Sequence, residues 1–141
     1  MTKQAITQKL SVPASAAWEA IRQIGGLDQW FPIIDTCRVE GSGPGAVRHM
    51  TLAGGGEIKD VIESIDDPNR RLVYQRPVSP FPVSDYRGTV EVFESYDGLG
   101  VVAWTIDFES RPEDAAAVAD LVRGAIGAGI AGMEEALGGW V

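Results

Sequence analysis

Val12-Pro-Ala-Ser-Ala-Ala-Trp-Glu-Ala-Ile-Arg-Gln-Ile-Gly-Gly-Leu-Asp-Gln-Trp-Phe-Pro32 decides the fold. The stretch reads as the end of a strand, a proline stop at Pro13, a short amphipathic helix opened by Ser15 or Ala14, and a glycine break at Gly25 and Gly26. A second helical turn then runs to Trp30, Phe31 and Pro32. Two short helices wedged between an alternating strand, Lys3 to Val12, and further strands predict a curved sheet closed at one end. That is a shape for holding an apolar molecule.

Beyond this opening, short alternating runs from Ile33 to Glu109 are separated by turn signals at residues 41–45, 54–56, 66–69, 77–82 and 97–98. The regular spacing predicts antiparallel hairpins, seven strands in all with the first, and no strand-helix-strand units. The period then changes. Val118, Leu121, Val122, Ala125, Met133, Ala136, Leu137 and Trp140 recur at helical spacing between Glu113 and Gly139, with Pro112 where a helix can start. This predicts one long C-terminal helix whose apolar stripe is buried on the concave face of the sheet. Gly124, Gly127, Gly129 and Gly132 lie inside it, each costing about 1 kcal/mol relative to alanine. They read either as close helix-to-sheet packing or as room left for a ligand.

The chain has 141 residues, read as one domain over 1–141, and is long enough to bury roughly 70% of its unfolded surface without disulfides or a metal. Its single cysteine, Cys37, favours a reduced, cytoplasmic setting. Met1 to Leu10 lacks the pattern of a signal peptide, and no apolar run reads as long enough to span a bilayer. A net charge of −8 opposes nucleic-acid binding and anionic membranes, which call for clustered Lys and Arg. Neither a metal nor a cofactor is expected, and the oligomeric expectation is a monomer or weak homodimer.

Alternation sorts the strands into two faces. Val102, Trp104, Ile106 and Phe108 share the concave face, as do Tyr86, Gly88, Val90 and Val92. The same face takes Arg48, Met50 and Leu52, then Ile58, Asp60 and Ile62, then Leu72, Tyr74 and Arg76. With Trp30 and Phe31 from the second helix and Val122, Ile126 and Met133 from the last, these residues make the candidate ligand-binding set. Most of the set is apolar. Buried ions need partners, and Asp60 with Arg48 or Arg76 would satisfy both. A few polar groups converging in an apolar concavity are the usual mark of a small-molecule site, although core filling explains Tyr74, Tyr86 and Trp104 equally well.

The order of motifs, Val-Pro-Ala-Ser-x-x-x-Trp at Val12 to Trp18, Trp30-x-Pro32, Gly-x-Val-Arg at Gly45 to Arg48, Ile65-Asp66-Asp67, Pro82-Val-x-Asp-Tyr86 and Trp104-Thr, resembles the START-like SRPBCC superfamily, within it the polyketide cyclase/dehydrase and lipid-transport-like branch. The resemblance covers the whole chain. It implies an α+β helix-grip fold, a seven-stranded antiparallel sheet around a long C-terminal helix with two small helices after the first strand. It also implies a central cavity for hydrophobic small molecules such as lipids or polyketides. The chain is similar as well to plant abscisic-acid receptors, whose pocket-facing positions fall at Phe31, Asp60 and Tyr86, with Phe31 standing where a lysine meets the ligand carboxylate.

Two functions follow as expectations. One is a carrier or sensor for an apolar ligand, lipid or polyketide-like, in the central cavity. The other is a polyketide cyclase or dehydratase in which Asp60, its pKa raised by an apolar wall, acts as general acid or base while Tyr86 or Tyr74 holds an enolate oxygen. The lone His49 falls on the convex face. Trp30 and Phe31 beside Asp60, with no basic residue next to them, predict a neutral or weakly polar ligand. A filled core between Trp104, Tyr86 and residues 124–133 would exclude the carrier.

Overall fold

A computed structural model describes residues 2–138. In chain order the elements are β1 (Thr2–Pro13), α1 (Ala14–Arg22), α2 (Leu27–Trp30), β2 (Ile34–Glu40), β3 (Val47–Leu52), β4 (Glu57–Asp66), β5 (Arg71–Val78), β6 (Ser84–Glu94), β7 (Leu99–Glu109) and α3 (Pro112–Gly138). The seven strands form one antiparallel sheet in the order β1-β7-β6-β5-β4-β3-β2. Every neighbouring pair except β1 and β7 is a hairpin. The two small helices therefore carry the chain from one sheet edge to the other, and in doing so they close one end of the concave face.

Helix α1 buries Ala14, Ala17, Trp18 and Ile21, the spacing of a single helical face. Its start corrects the expectation for Ser15: the helix begins at Ala14, no side chain caps it, and the Ala14 N–H donates to the Gly98 carbonyl at 3.1 Å. An orphan helix donor is thus satisfied by the β6–β7 turn. Trp18 fixes the helix to the β4–β5 turn, its Nε1 donating to Asp67 Oδ1 at 2.9 Å beside Arg22 Nε at 2.7 Å on the same oxygen.

Helix α3 buries Val118, Ala119, Val122, Ile126, Ile130 and Met133 against the sheet and α2. Leu121, expected on the buried stripe, is 44% exposed, and Ala136 is exposed too. Trp140 lies outside the described residues. The helical glycines divide by face. A Cβ on Gly129 would collide with the Phe31 ring, and one on Gly132 with the Trp30 carbonyl, whereas Gly124 and Gly127 have open space around them. Close packing accounts for the first two, while the other two face open space. By length and composition alone α3 is apolar enough to cross a membrane, contrary to the expectation that no stretch is; here it lies across the sheet with one face buried.

Candidate functional site

Alternation on β4 to β7 points Ile58, Tyr74, Tyr86 and Trp104 at α3, and between sheet and helix lies a cavity. Leu27, Phe31, Ile33 and Ile34 line it from α2 and the segment that follows. Phe81 and Val83 come from the β5–β6 loop, and Val118, Leu121, Val122, Ala125 and Ile126 from α3, with Arg76 as the charged member. Phe31 meets Trp104 edge-to-face at 5.5 Å, closing the inner wall. The enclosed free volume is about 40 Å³. At roughly 10–15 Å³ for each water, that holds about three waters and no lipid. The space is neither a filled core nor an open tunnel. It stands against the first half of α3, because Trp30 and Phe31 fill the region beside residues 129–132.

Beneath the cavity the sheet buries three charges. Arg48 pairs directly with Asp60 across β3 and β4, and a register shift between Lys59 and Val61 brings Arg76 of β5 to the other side of the same carboxylate. Arg48 Nε and Nη2 donate to Asp60 Oδ2 at 3.1 and 2.8 Å. Arg76 Nε donates to Oδ1 at 2.6 Å and its Nη2 to Oδ2 at 3.1 Å. Arg48 Nη1 also donates to the Ile24 carbonyl at 2.9 Å. Ile24 holds a φ of 70°, a left-handed conformation that a β-branched residue adopts only under strain, so this turn is held in place by its surroundings.

This arrangement corrects the expected chemistry of Asp60. Burial by itself pushes its carboxyl up, yet the Arg76 and Arg48 guanidiniums and their hydrogen bonds more than offset that and hold it below the usual carboxylate range. It accepts four hydrogen bonds, three at Oδ2 and one at Oδ1, all from guanidinium N–H groups. Asp60 is therefore a fixed anion that orients two arginines, and it is not free to take or give a proton. The guanidinium of Arg76 is held above its ordinary pKa: burial would lower it, but Asp60 and the two tyrosines outweigh burial.

Tyr74 lies between the arginines, Arg48 Cζ 4.9 Å and Arg76 Cζ 5.6 Å from its ring centre, and its hydroxyl accepts from Trp104 Nε1 at 3.1 Å. Arg76 covers the Tyr86 ring at 4.6 Å, and Tyr86 stacks on Phe108. Burial pushes both phenols up, so they stay protonated at neutral pH. The Tyr86 hydroxyl makes no hydrogen bond among the described residues.

Of the candidate set, the cavity brings together Phe31, Ile58, Tyr74, Arg76, Tyr86, Trp104, Val122 and Ile126. Arg48 and Asp60 lie behind that wall, while Met50, Ile106, Phe108 and Met133 are packed into the core away from the space. Leu52 packs at the edge of the core, and Trp30 lies under Gly132 on the far side of α2. Ile33, Phe81 and Val83 lie in loops, and Ile34 opens β2, a strand whose faces were not sorted, so the four stood outside the set. Phe81 between Pro80 and Pro82 was the available signal, an aromatic held in a stiff loop. The charged residue on the wall is Arg76, one of the two arginines of the candidate set, whereas Asp60, expected to stand beside Trp30 and Phe31 at the ligand, does not line the cavity.

A curled seven-stranded antiparallel sheet gripping a long C-terminal helix over an internal cavity is the helix-grip fold. The chain belongs to the polyketide cyclase/dehydrase and lipid transport family, whose model matches residues 1–138. The Arabidopsis thaliana abscisic acid receptor PYL2 is 26% identical over 77% of this chain and 60% of the receptor, so the chain spans about 60% of that relative's length. XoxI of Bacillus cereus superposes with a TM-score of 0.87 at 23% identity, covering 97% of this chain and 96% of that one. Norcoclaurine synthase of Thalictrum flavum, in complex with dopamine and hydroxybenzaldehyde, superposes with a TM-score of 0.76 at 19% identity, covering 95% and 86%. These two likenesses are of fold.

Proposed function

We propose that this protein binds a small, largely hydrophobic molecule between the sheet and the first half of α3, as a carrier or sensor. The observation that carries this reading is an apolar cavity with exposed apolar residues at its margin: Ile33 is 39% and Leu121 44% exposed beside Phe81 and Val83. Such residues stabilise a closed core little, whereas they suit an entrance that opens. With about 40 Å³ enclosed, a ligand enters by displacing these side chains, and binding is coupled to that movement. Family membership and the receptor relative support a small-molecule partner.

The neutral fluorescent probe N-phenyl-1-naphthylamine tests the reading. Saturable emission enhancement at one site per chain is expected, and Ala125→Trp, which fills the cavity from α3, abolishes it while circular dichroism stays unchanged. Absence of enhancement, or equal enhancement with Ala125→Trp, overturns the proposal. An enzymatic role would fall to Tyr86 and Arg76, because two arginines hold Asp60 as an anion.

A further inference from the structure

Two guanidiniums and one carboxylate leave the Arg48, Asp60 and Arg76 cluster with one surplus positive charge. The side chains are 3%, 0% and 13% exposed, so water screens that charge poorly. Among the described residues no second carboxylate stands within 4.0 Å of either guanidinium. Asp85 borders, with Arg76 and Tyr86, a surface depression behind the cavity, and forms no ion pair with Arg76. An unbalanced ion in an apolar setting is unfavourable, and each attraction there is stronger than in water.

Arg76 borders both the cavity and that depression, and one edge of its guanidinium is free to take a counter-charge. Asp60 takes one fork of the guanidinium, the Nε and Nη2 hydrogens. The other fork, both Nη1 hydrogens and the second on Nη2, makes no hydrogen bond among the described residues, although Arg76 lines the cavity. A planar fork of parallel N–H groups matches a carboxylate in a bidentate pair. Tyr86, under the same guanidinium and on the same wall, has an unused hydroxyl.

Resting on the binding reading above, we infer that the ligand of this cavity carries a carboxylate, which pairs with the free fork of Arg76 and accepts a hydrogen bond from the Tyr86 hydroxyl while its hydrocarbon part lies against Phe31, Trp104 and Val122. Asp60 and Arg48 act as positioning residues that hold Arg76 in place. The apolar wall sets the shape of the ligand and the surplus charge sets its polarity.

Competition between matched ligands tests this. With N-phenyl-1-naphthylamine bound, 2-naphthoate is expected to displace the probe at least 10-fold more tightly than 2-naphthamide, which has the same ring and no charge. Arg76→Met leaves Arg48 and Asp60 as a neutral pair, so the preference for naphthoate over naphthamide, read as the ratio of their affinities whatever the variant's affinity for the probe, is expected to be lost; Tyr86→Phe is expected to reduce the preference a few-fold. Equal displacement by the two competitors in the wild type, a comparison that needs no variant to fold, overturns the inference while probe binding stands. A preference that survives Arg76→Met overturns it as well. If the probe itself does not bind, the binding reading fails and this inference fails with it.

Discussion

The ring of Tyr74 lies across Gly88, its cross-strand partner on β6, in the space where any other residue's Cβ would stand. Tyr74 can spread over the sheet between two guanidiniums and receive the Trp104 N–H only because position 88 has no side chain. Gly88→Ala is accordingly expected to destabilise the fold by about 3 kcal/mol, the upper range for an overpacked core, since the tyrosine is fully buried and its hydrogen bond is lost with its position. Urea denaturation of Gly88→Ala and Tyr74→Phe distinguishes the two parts: the phenylalanine variant loses only the hydrogen bond, about 1 kcal/mol. Equal stability of Gly88→Ala and wild type would refute this packing.

Removing Asp60 leaves two buried guanidiniums facing each other, and Asp60→Ala is expected to cost about 3–5 kcal/mol. The carboxyl also has a pH signature. Its folded pKa lies below the unfolded value of about 3.9, so the unfolded chain binds more protons and stability rises with pH. The contribution is complete above about pH 4 and is lost as the pH falls through the still lower folded value. Glu63, Asp67 and Asp97 are shifted the same way at the surface, so the wild-type curve alone does not isolate Asp60. The stability gap between wild type and Asp60→Asn should be constant from pH 5 to 8 and narrow in acid; a gap that widens in acid would contradict the assignment.

The four helical glycines make opposite predictions on one helix. Gly124→Ala and Gly127→Ala meet open space and should each stabilise by about 0.5–1 kcal/mol through helix propensity. Gly132→Ala meets the Trp30 carbonyl, a backbone atom that cannot rotate away, and should destabilise by about 1–3 kcal/mol and loosen α2. Thermal melts of the three single variants decide it. A shift of the same sign in all three would mean that α3 sits differently on the sheet.

The fold was legible because each of its signals is local. Period-2 alternation named the concave residues Trp104, Tyr86, Tyr74 and Asp60, and the proline and glycine punctuation around Trp18 and Trp30 located the two small helices. The site was legible only by halves. Alternation could not show which concave residues border free space and which, like Ile106 and Phe108, are covered, because that depends on where α3 crosses. The need of buried ions for partners suggested Arg48 or Arg76 for Asp60, but not that both bind it at once through a register shift, which reverses the expected direction of the acid's pKa. The loop residues Phe81 and Val83 enter the cavity wall through tertiary structure alone.

Leu121 offers the sharpest separation of binding from stability. It lines the cavity from α3 while 44% of its surface faces water, so its burial contributes little to the closed fold. Leu121→Gln keeps helix propensity and similar length, and the change in stability should stay within about 0.5 kcal/mol. Binding of an apolar ligand is different, because entry buries this side chain against the ligand and a glutamine amide there would lose its water. Probe affinity is therefore expected to fall several-fold with an unchanged melting temperature, read by N-phenyl-1-naphthylamine titration and calorimetry on the same sample. A parallel loss of stability would show Leu121 to be a core residue of the closed state, and unchanged affinity would place the entrance elsewhere on the cavity rim.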